Sequence, residues 1–298
     1  MDFVSKRKYF LGFSFVLSII SIFMLLSSGL NLGIDFTSGS TASLEFKKGD
    51  PGTGVILSKL EDLGYSESVV QNIGENQYFI RTRDLGVTGL TDIKDTLSEL
   101  EESPVIILDN TTVGASIAED TVKNAIIAVL VASLFVMTYI MYAFRSVNKS
   151  YKYAFSAIFA LTHDVIIVLG IFVILGILFN AQVNAIFIVG ILTVIGYSVN
   201  DTIVIFDRVR ENAISNPNKN LRNVINQSIN ESITRSLGTS ITTITVILAM
   251  LLFGGSTLRD FLLVLLLGVI VGTYSSIFVA SQILATWESK SLFFRKES

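Results

Sequence analysis

Six apolar runs, each long enough to cross a bilayer, constrain this chain more than anything else in it. They cover residues 9–30, 124–144, 153–179, 183–206, 232–253 and 261–286. Apolar stretches of about 18 residues or more signal membrane helices. In hydrocarbon no backbone N–H or C=O can be left unpaired, so runs of this length specify helices that pair their own backbone. Charged residues make up only 16% of the chain, against about 25% in soluble domains. Lipid is therefore the main solvent for the fold. The first run is not followed by the small-residue pattern of a cleavage site, so it reads as a retained anchor.

The net charge of −3 says little about partners, but the distribution of basic residues says more. Lys6, Arg7 and Lys8 precede the first run, and Arg145, Lys149 and Lys152 separate the second from the third. Arg208, Arg210, Lys219 and Arg222 follow the fourth, and Lys290, Arg295 and Lys296 follow the sixth. The opposite loops, 180–182 and 254–260, carry Arg259 alone. The positive-inside rule then places both termini in the cytoplasm. The same rule accounts for the basic clusters as orientation signals, so no nucleic-acid partner is expected. The chain has no cysteine, which excludes disulfide and thiolate chemistry.

Residues 31–123 are the one long hydrophilic block, and the charge pattern puts them outside the cytoplasm. The pattern predicts strand 41–46, helix 52–63, strands 68–73 and 77–82 around the turn at Gly74–Asn76, helix 89–102 ended by Pro104, and strand 105–108. That order, βαββαβ, is the ferredoxin-like arrangement. The expected fold is a polytopic α-helical membrane protein of six transmembrane helices, with a small extracytoplasmic α+β domain between helices 1 and 2. Its parts are 1–30 (N-terminus and first helix), 31–123 (the domain), 124–286 (helices 2–6) and 287–298 (a cytoplasmic tail). Within the third part, polar residues 211–231 include Leu221, Val224, Ile225 and Ile229 at helical spacing. They read as an amphipathic helix, either at the cytoplasmic membrane surface or packed on the bundle.

The membrane runs hold four ionisable side chains that matter for chemistry: His163, Asp164, Asp201 and Arg235. An acid at a helix centre costs about 2.5–3.5 kcal/mol on insertion scales, less toward the interface, and such residues mark ion or proton paths. Tyr197, Ser198, Asn200 and Thr202 crowd the turn around Asp201. Arg235 shares its helix face with Thr239. Both charges fall in the cytoplasmic third of their spans, so an Asp201–Arg235 pair is expected, with Asp201 as the group that changes protonation. A static ion pair that fixes helix register is the plainer alternative. With Asp164 also ionised the bundle carries one excess negative charge, which a proton on His163 or either acid would cancel. Gly268 and Gly272 form a GxxxG, a close-packing signal. An aspartyl protease would need Tyr-Asp and Gly-x-Gly-Asp contexts, which the chain lacks, and HExxH and Gly-x-Ser-x-Gly are absent. No enzyme, cofactor or metal is expected.

Several segments resemble the SecF family of membrane proteins, which work with SecD in bacterial protein export. Gly33-Ile-Asp35-Phe36-Thr-Ser-Gly39 is similar to that family's GIDFTGG after the first span. Leu161–Asp164 matches its His-Asp pair, and Gly196–Asn212 matches its strongest signature. Ser232–Ser236 and Gly272–Ser276 match further segments. Ser38 departs from the pattern: it stands where the family has glycine, which permits positive φ. The resemblance implies the bacterial inner membrane, an architecture like resistance-nodulation-division transporters, and use of the proton-motive force to complete preprotein translocation. It implies SecD, the SecYEG channel, SecA and the moving preprotein as partners, and places Asp201 and Arg235 on the proton pathway. The competing reading is a half-size proton-driven exporter of small molecules or lipids.

Overall fold

The computed structural model describes residues 1–86, 88–100, 104–145, 149–254 and 258–288. In chain order its elements are α1 (Arg7–Ser27), α2 (Ile34–Thr37), β1 (Gly39–Phe46), α3 (Gly52–Asp62), β2 (Val69–Gly74), β3 (Gln77–Thr82), α4 (Gly89–Ser98), β4 (Val105–Val113), α5 (Ala115–Ala143), α6 (Tyr151–Phe179), α7 (Ala185–Ser215), α8 (Leu221–Phe253) and α9 (Arg259–Ser275). A π-helical turn, Ser276–Ala280, then leads into α10 (Ser281–Glu288). Two compact units result, one of residues 1–31 with 126–298 and one of residues 32–125.

The smaller unit is a four-stranded antiparallel sheet in the order β2-β3-β1-β4, with α3 and α4 packed on it. This is the ferredoxin-like βαββαβ arrangement. Strand periodicity explains its core, because alternate side chains point to one face. Ala42, Leu44 and Phe46 of β1 share that face with Tyr78 and Ile80 of β3, and Ile56, Leu60, Ile93 and Leu97 of the two helices cover it. The last strand runs to Val113, five residues beyond the apolar stretch expected to form it. Its polar end still pairs: Asp109 opposes Ser43 and Thr112 opposes Ser40 across β1, with the Ser40 and Thr112 hydroxyls 2.8 Å apart. Helix α4 ends at Ser98 rather than 102, and residues 101–102 of the expected helix lie outside the described residues.

Among the described residues six helices are long and apolar enough to cross a membrane: α1, α5, α6, α7, α8 and the continuous Arg259–Trp287 segment that contains α9. Three overrun the hydropathy-based limits by more than two residues: α5, which begins at Ala115 rather than at 124, and α7 and α8. Polar residues at the end of α7 sustain about two and a half further turns through side-chain pairs at (i, i+3), Arg210 with Asp207 at 2.7 Å and Arg208 with Glu211 at 2.5 Å. At the start of α8 the Asn220 side chain accepts from the Arg222 amide, a capping contact. The separate surface helix expected within 211–231 is therefore not present. Its first residues finish α7, its second half is the opening of α8, and only 216–220 connect them. The tail at 289–298 lies outside the described residues.

The closest helix packing joins α7 and α9. A Cβ added at Gly268 would sit 2.0 Å from Val194 Cγ2, and one at Gly272 would sit 2.9 Å from Ser198 Cβ. On the α7 side, a Cβ at Gly190 would come 2.9 Å from Val264 Cγ1. The contacts advance by four residues on both helices together, so α7 and α9 run parallel with small residues at each crossing. The GxxxG of α9 is thus occupied by α7. Helix α6 also packs closely on α1, where a Cβ at Gly170 would meet Ser21 Cβ at 2.4 Å.

Candidate functional site

Close packing of α6, α7, α8 and α9 buries a band of hydroxyls and two carboxylates. Asp164 of α6 is 1% exposed. Its Oδ2 accepts from Ser198 Oγ on α7 and Ser275 Oγ on α9, both at 2.6 Å, and its Oδ1 lies 2.9 Å from His163 Nδ1. Asp201 of α7 is 2% exposed. Its Oδ2 accepts from Ser240 Oγ of α8 and Thr273 Oγ1 of α9, each at 3.4 Å. Those two hydroxyls are themselves 2.6 Å apart. Tyr197 donates to Ser240 Oγ at 3.3 Å, and the Thr202 and Ser276 hydroxyls pair at 2.8 Å. Each carboxylate is therefore held by side chains from two other helices, so a change in its charge bears on the packing of three.

Of the residues singled out in the sequence, the structure brings together Asp201, Tyr197, Ser198, Thr202, His163 and Asp164. It leaves three outside. Asn200 and Thr239 are exposed, and the Thr239 hydroxyl turns back to the carbonyls of Arg235 and Ser236. The Arg235 side chain is exposed and makes no hydrogen bond or ion pair among the described residues, so it is not in contact with Asp201 here. The reason lies in the register of α8. Ser228, Ser232, Ser236 and Ser240, four residues apart, form its buried stripe. Arg235, one residue from Ser236, points about 100° away at 3.6 residues per turn. The arginine that does bridge α7 and α8 is Arg208, whose Nε donates to Glu231 at 2.6 Å.

Sequence reasoning missed Ser240, although the serine series every fourth residue on α8 was a readable sign of a close helix seam. Thr273 and Ser275, which follow the GxxxG, are made donors to the two carboxylates by the fold. The motif after the first span lies in the other unit. Gly33 precedes α2 and its carbonyl accepts from the Phe36 and Thr37 amides, Asp35 and Phe36 are half-buried, and Gly39 opens β1.

Comparison with known proteins agrees with this architecture. Residues 92–290 match the family described as protein export membrane protein SecD/SecF, C-terminal, and residues 23–50 match the SecD/SecF GG motif. The protein translocase subunit SecF of Thermobaculum terrenum is 37% identical over 97% of this chain and 95% of that protein. The protein translocase subunit SecDF of Bacillus subtilis is 35% identical over 98% of this chain but only 38% of its own length. The crystal structure of SecDF from Thermus thermophilus, a translocon-associated membrane protein, superposes with a TM-score of 0.85 at 32% identity, covering 97% of this chain and 39% of that one. The chain therefore spans nearly all of a separate SecF and well under half of a SecDF.

Proposed function

The chain belongs to the SecD/SecF family of protein export membrane proteins, and on that premise we propose that it is the SecF-type half of a proton-driven machine acting late in preprotein export. It works with a SecD-type subunit beside the SecYEG channel, after SecA has pushed the preprotein, in the bacterial inner membrane. Both termini are cytoplasmic and the 32–125 unit faces outward, in keeping with the basic clusters at alternate loops. That unit assists the emerging chain. No enzymatic step and no cofactor is part of the proposal.

Asp201 is the proton carrier, with Arg235 as the cation it meets during the cycle. The observation that carries this reading is the setting of Asp201: a buried carboxylate on a membrane helix, with no cation in contact among the described residues and two hydroxyls as its neighbours. Hydroxyls donate or accept, so Ser240 and Thr273 serve the ionised and the protonated acid alike. One proton crossing 100 mV releases about 2.3 kcal/mol, the energy available to each cycle.

The test is gradient-dependent preprotein export in membrane vesicles that contain the SecD-type partner, with protein level and partner binding followed in parallel. Asp201→Asn keeps nearly the same volume and still hydrogen-bonds, but it cannot cycle a proton at neutral pH. It is expected to abolish the stimulation by the gradient while leaving level and binding near normal. Arg235→Lys is expected to impair the same activity, because lysine lacks the planar fork of donors. A well-assembled Asp201→Asn protein with full gradient-dependent export would overturn the assignment.

A further inference from the structure

Asp164 and His163 form a second buried polar centre, which the proposed function at Asp201 does not use. Asp164 is met by three partners, the Ser198 and Ser275 hydroxyls and His163 Nδ1. With Asp164 ionised the carboxylate only accepts, so Nδ1 carries the proton in this contact and the tautomer is fixed. That leaves Nε2 as the bare acceptor of the ring. His163 is 5% exposed, and its Nε2 is buried with no hydrogen-bond partner among the described residues. In this state the pair carries one negative charge inside the bundle, and one proton at Nε2 would make it neutral overall.

We propose that the His163–Asp164 pair is a proton-binding site separate from Asp201, which loads at His163 Nε2. In the step a water-borne proton forms the Nε2–H bond and imidazole becomes imidazolium, while Nδ1–H stays on Asp164. Release reverses it, and no electrons move. The pair is linked to Asp201 through two helices. Ser198 lies three residues before Asp201 on α7, and Ser275 lies two residues after Thr273 on α9, so adjacent turns hold both carboxylates. The π-helical turn begins at the next residue, Ser276, and such turns recur at functional sites.

The elements packed on α6 are α1, α7, α9, the π turn and α10. Mid-span, they bring only Tyr197 and Asp201 from α7 and Tyr274 from α9 as ionisable neighbours. Tyr274 is engaged with Ser14 and the Phe10 carbonyl. Other charged residues of these elements sit in end turns: Arg7 and Lys8 of α1, Asp207 to Glu211 of α7, Arg259 and Asp260 of α9, and Glu288 of α10. None of them forms a hydrogen bond or ion pair with the His163–Asp164 pair.

His163 is the only histidine in the chain, so 15N-histidine labelling of the full chain in lipid nanodiscs gives a single ring to follow by NMR. The expected result is a neutral Nδ1–H tautomer at the high end of an experimental pH range of about 8 to 5, with the Nε2 signal moving to the protonated position as the sample is acidified. Asp164→Asn removes the counter-charge, and Nε2 is then expected to stay unprotonated over the same range. An Nε2 signal that stays fixed in the wild-type chain, or an Nε2–H tautomer, would overturn the proposal even if the Asp164 variant failed to fold. Asp201→Asn is expected to keep the His163 titration. Titration retained alongside full export by Asp201→Asn would therefore refute the carrier role of Asp201 and leave this site standing.

Discussion

At the scale of single residues, the turn after α1 shows how a backbone requirement outlasts the residue that satisfies it most easily. Ser38 adopts φ 62° and ψ 168°, a region that is essentially reserved for glycine. Gly39 follows at φ 126°, and a Cβ there would lie 2.5 Å from the Thr82 carbonyl oxygen. Holding a non-glycine residue in such a region costs on the order of 1–3 kcal/mol. Ser38→Gly is therefore expected to stabilise the 32–125 unit by about that amount, read as a higher denaturation midpoint with an unchanged slope. Gly39→Ala should move the midpoint the other way. The resemblance to a glycine motif was legible at this turn, but not whether serine would keep the geometry. That is settled by the neighbours: the Ser38 amide is tied to the Ile34 carbonyl by α2 while β1 starts at the next residue.

At the scale of elements, hydropathy located all six spans, because length and apolarity are properties of each helix alone. It did not locate the start of α5 at Ala115, nor the end of α7 and the start of α8, where charged pairs and an asparagine cap extend the helices beyond the apolar part. Nor did it reveal which helix fills the GxxxG of α9. That required the matching four-residue series Gly190, Val194, Ser198 and Thr202 on α7, in which only one member is glycine. The seam makes a sharp prediction. Gly268→Ala puts a methyl into Val194, a residue that is stiff at χ1, and overpacking of this kind typically costs about 1–3 kcal/mol. The variant should lose thermal stability in detergent. Val194→Ala should restore part of the loss, because it removes the two nearest atoms and leaves Val194 Cβ, at 2.8 Å, in place. Strictly additive effects of the two changes would show that the helices separate rather than press on this contact.

At the scale of the whole molecule, Asp201 and Arg235 are not in contact in this arrangement of the helices. Residue types and depth pointed to a pair, and both residues do lie on neighbouring helices. Charge and depth do not set the rotation of α8 about its axis; the serine series does, and it turns that stripe inward and Arg235 outward. An arginine, Thr239 and Asn200 thus sit on exposed surfaces of α7 and α8 in a helix bundle whose outer faces should be apolar. In the proposed machine a SecD-type half covers this side. A charged side chain on a lipid-facing helix costs up to about 2.5–3.5 kcal/mol at mid-span and less near the ends, where long side chains reach the interface. Arg235→Leu should then have opposite effects in two settings. In the chain purified alone it should keep or raise thermal stability, since an uncovered charge is removed. In the assembled pair it should lower gradient-dependent export at least tenfold, since the cation facing the partner is lost. Equal destabilisation of the lone chain and the pair would mean that Arg235 serves the internal packing of this half. Full export by the pair with Arg235→Leu would remove the residue from the proton cycle.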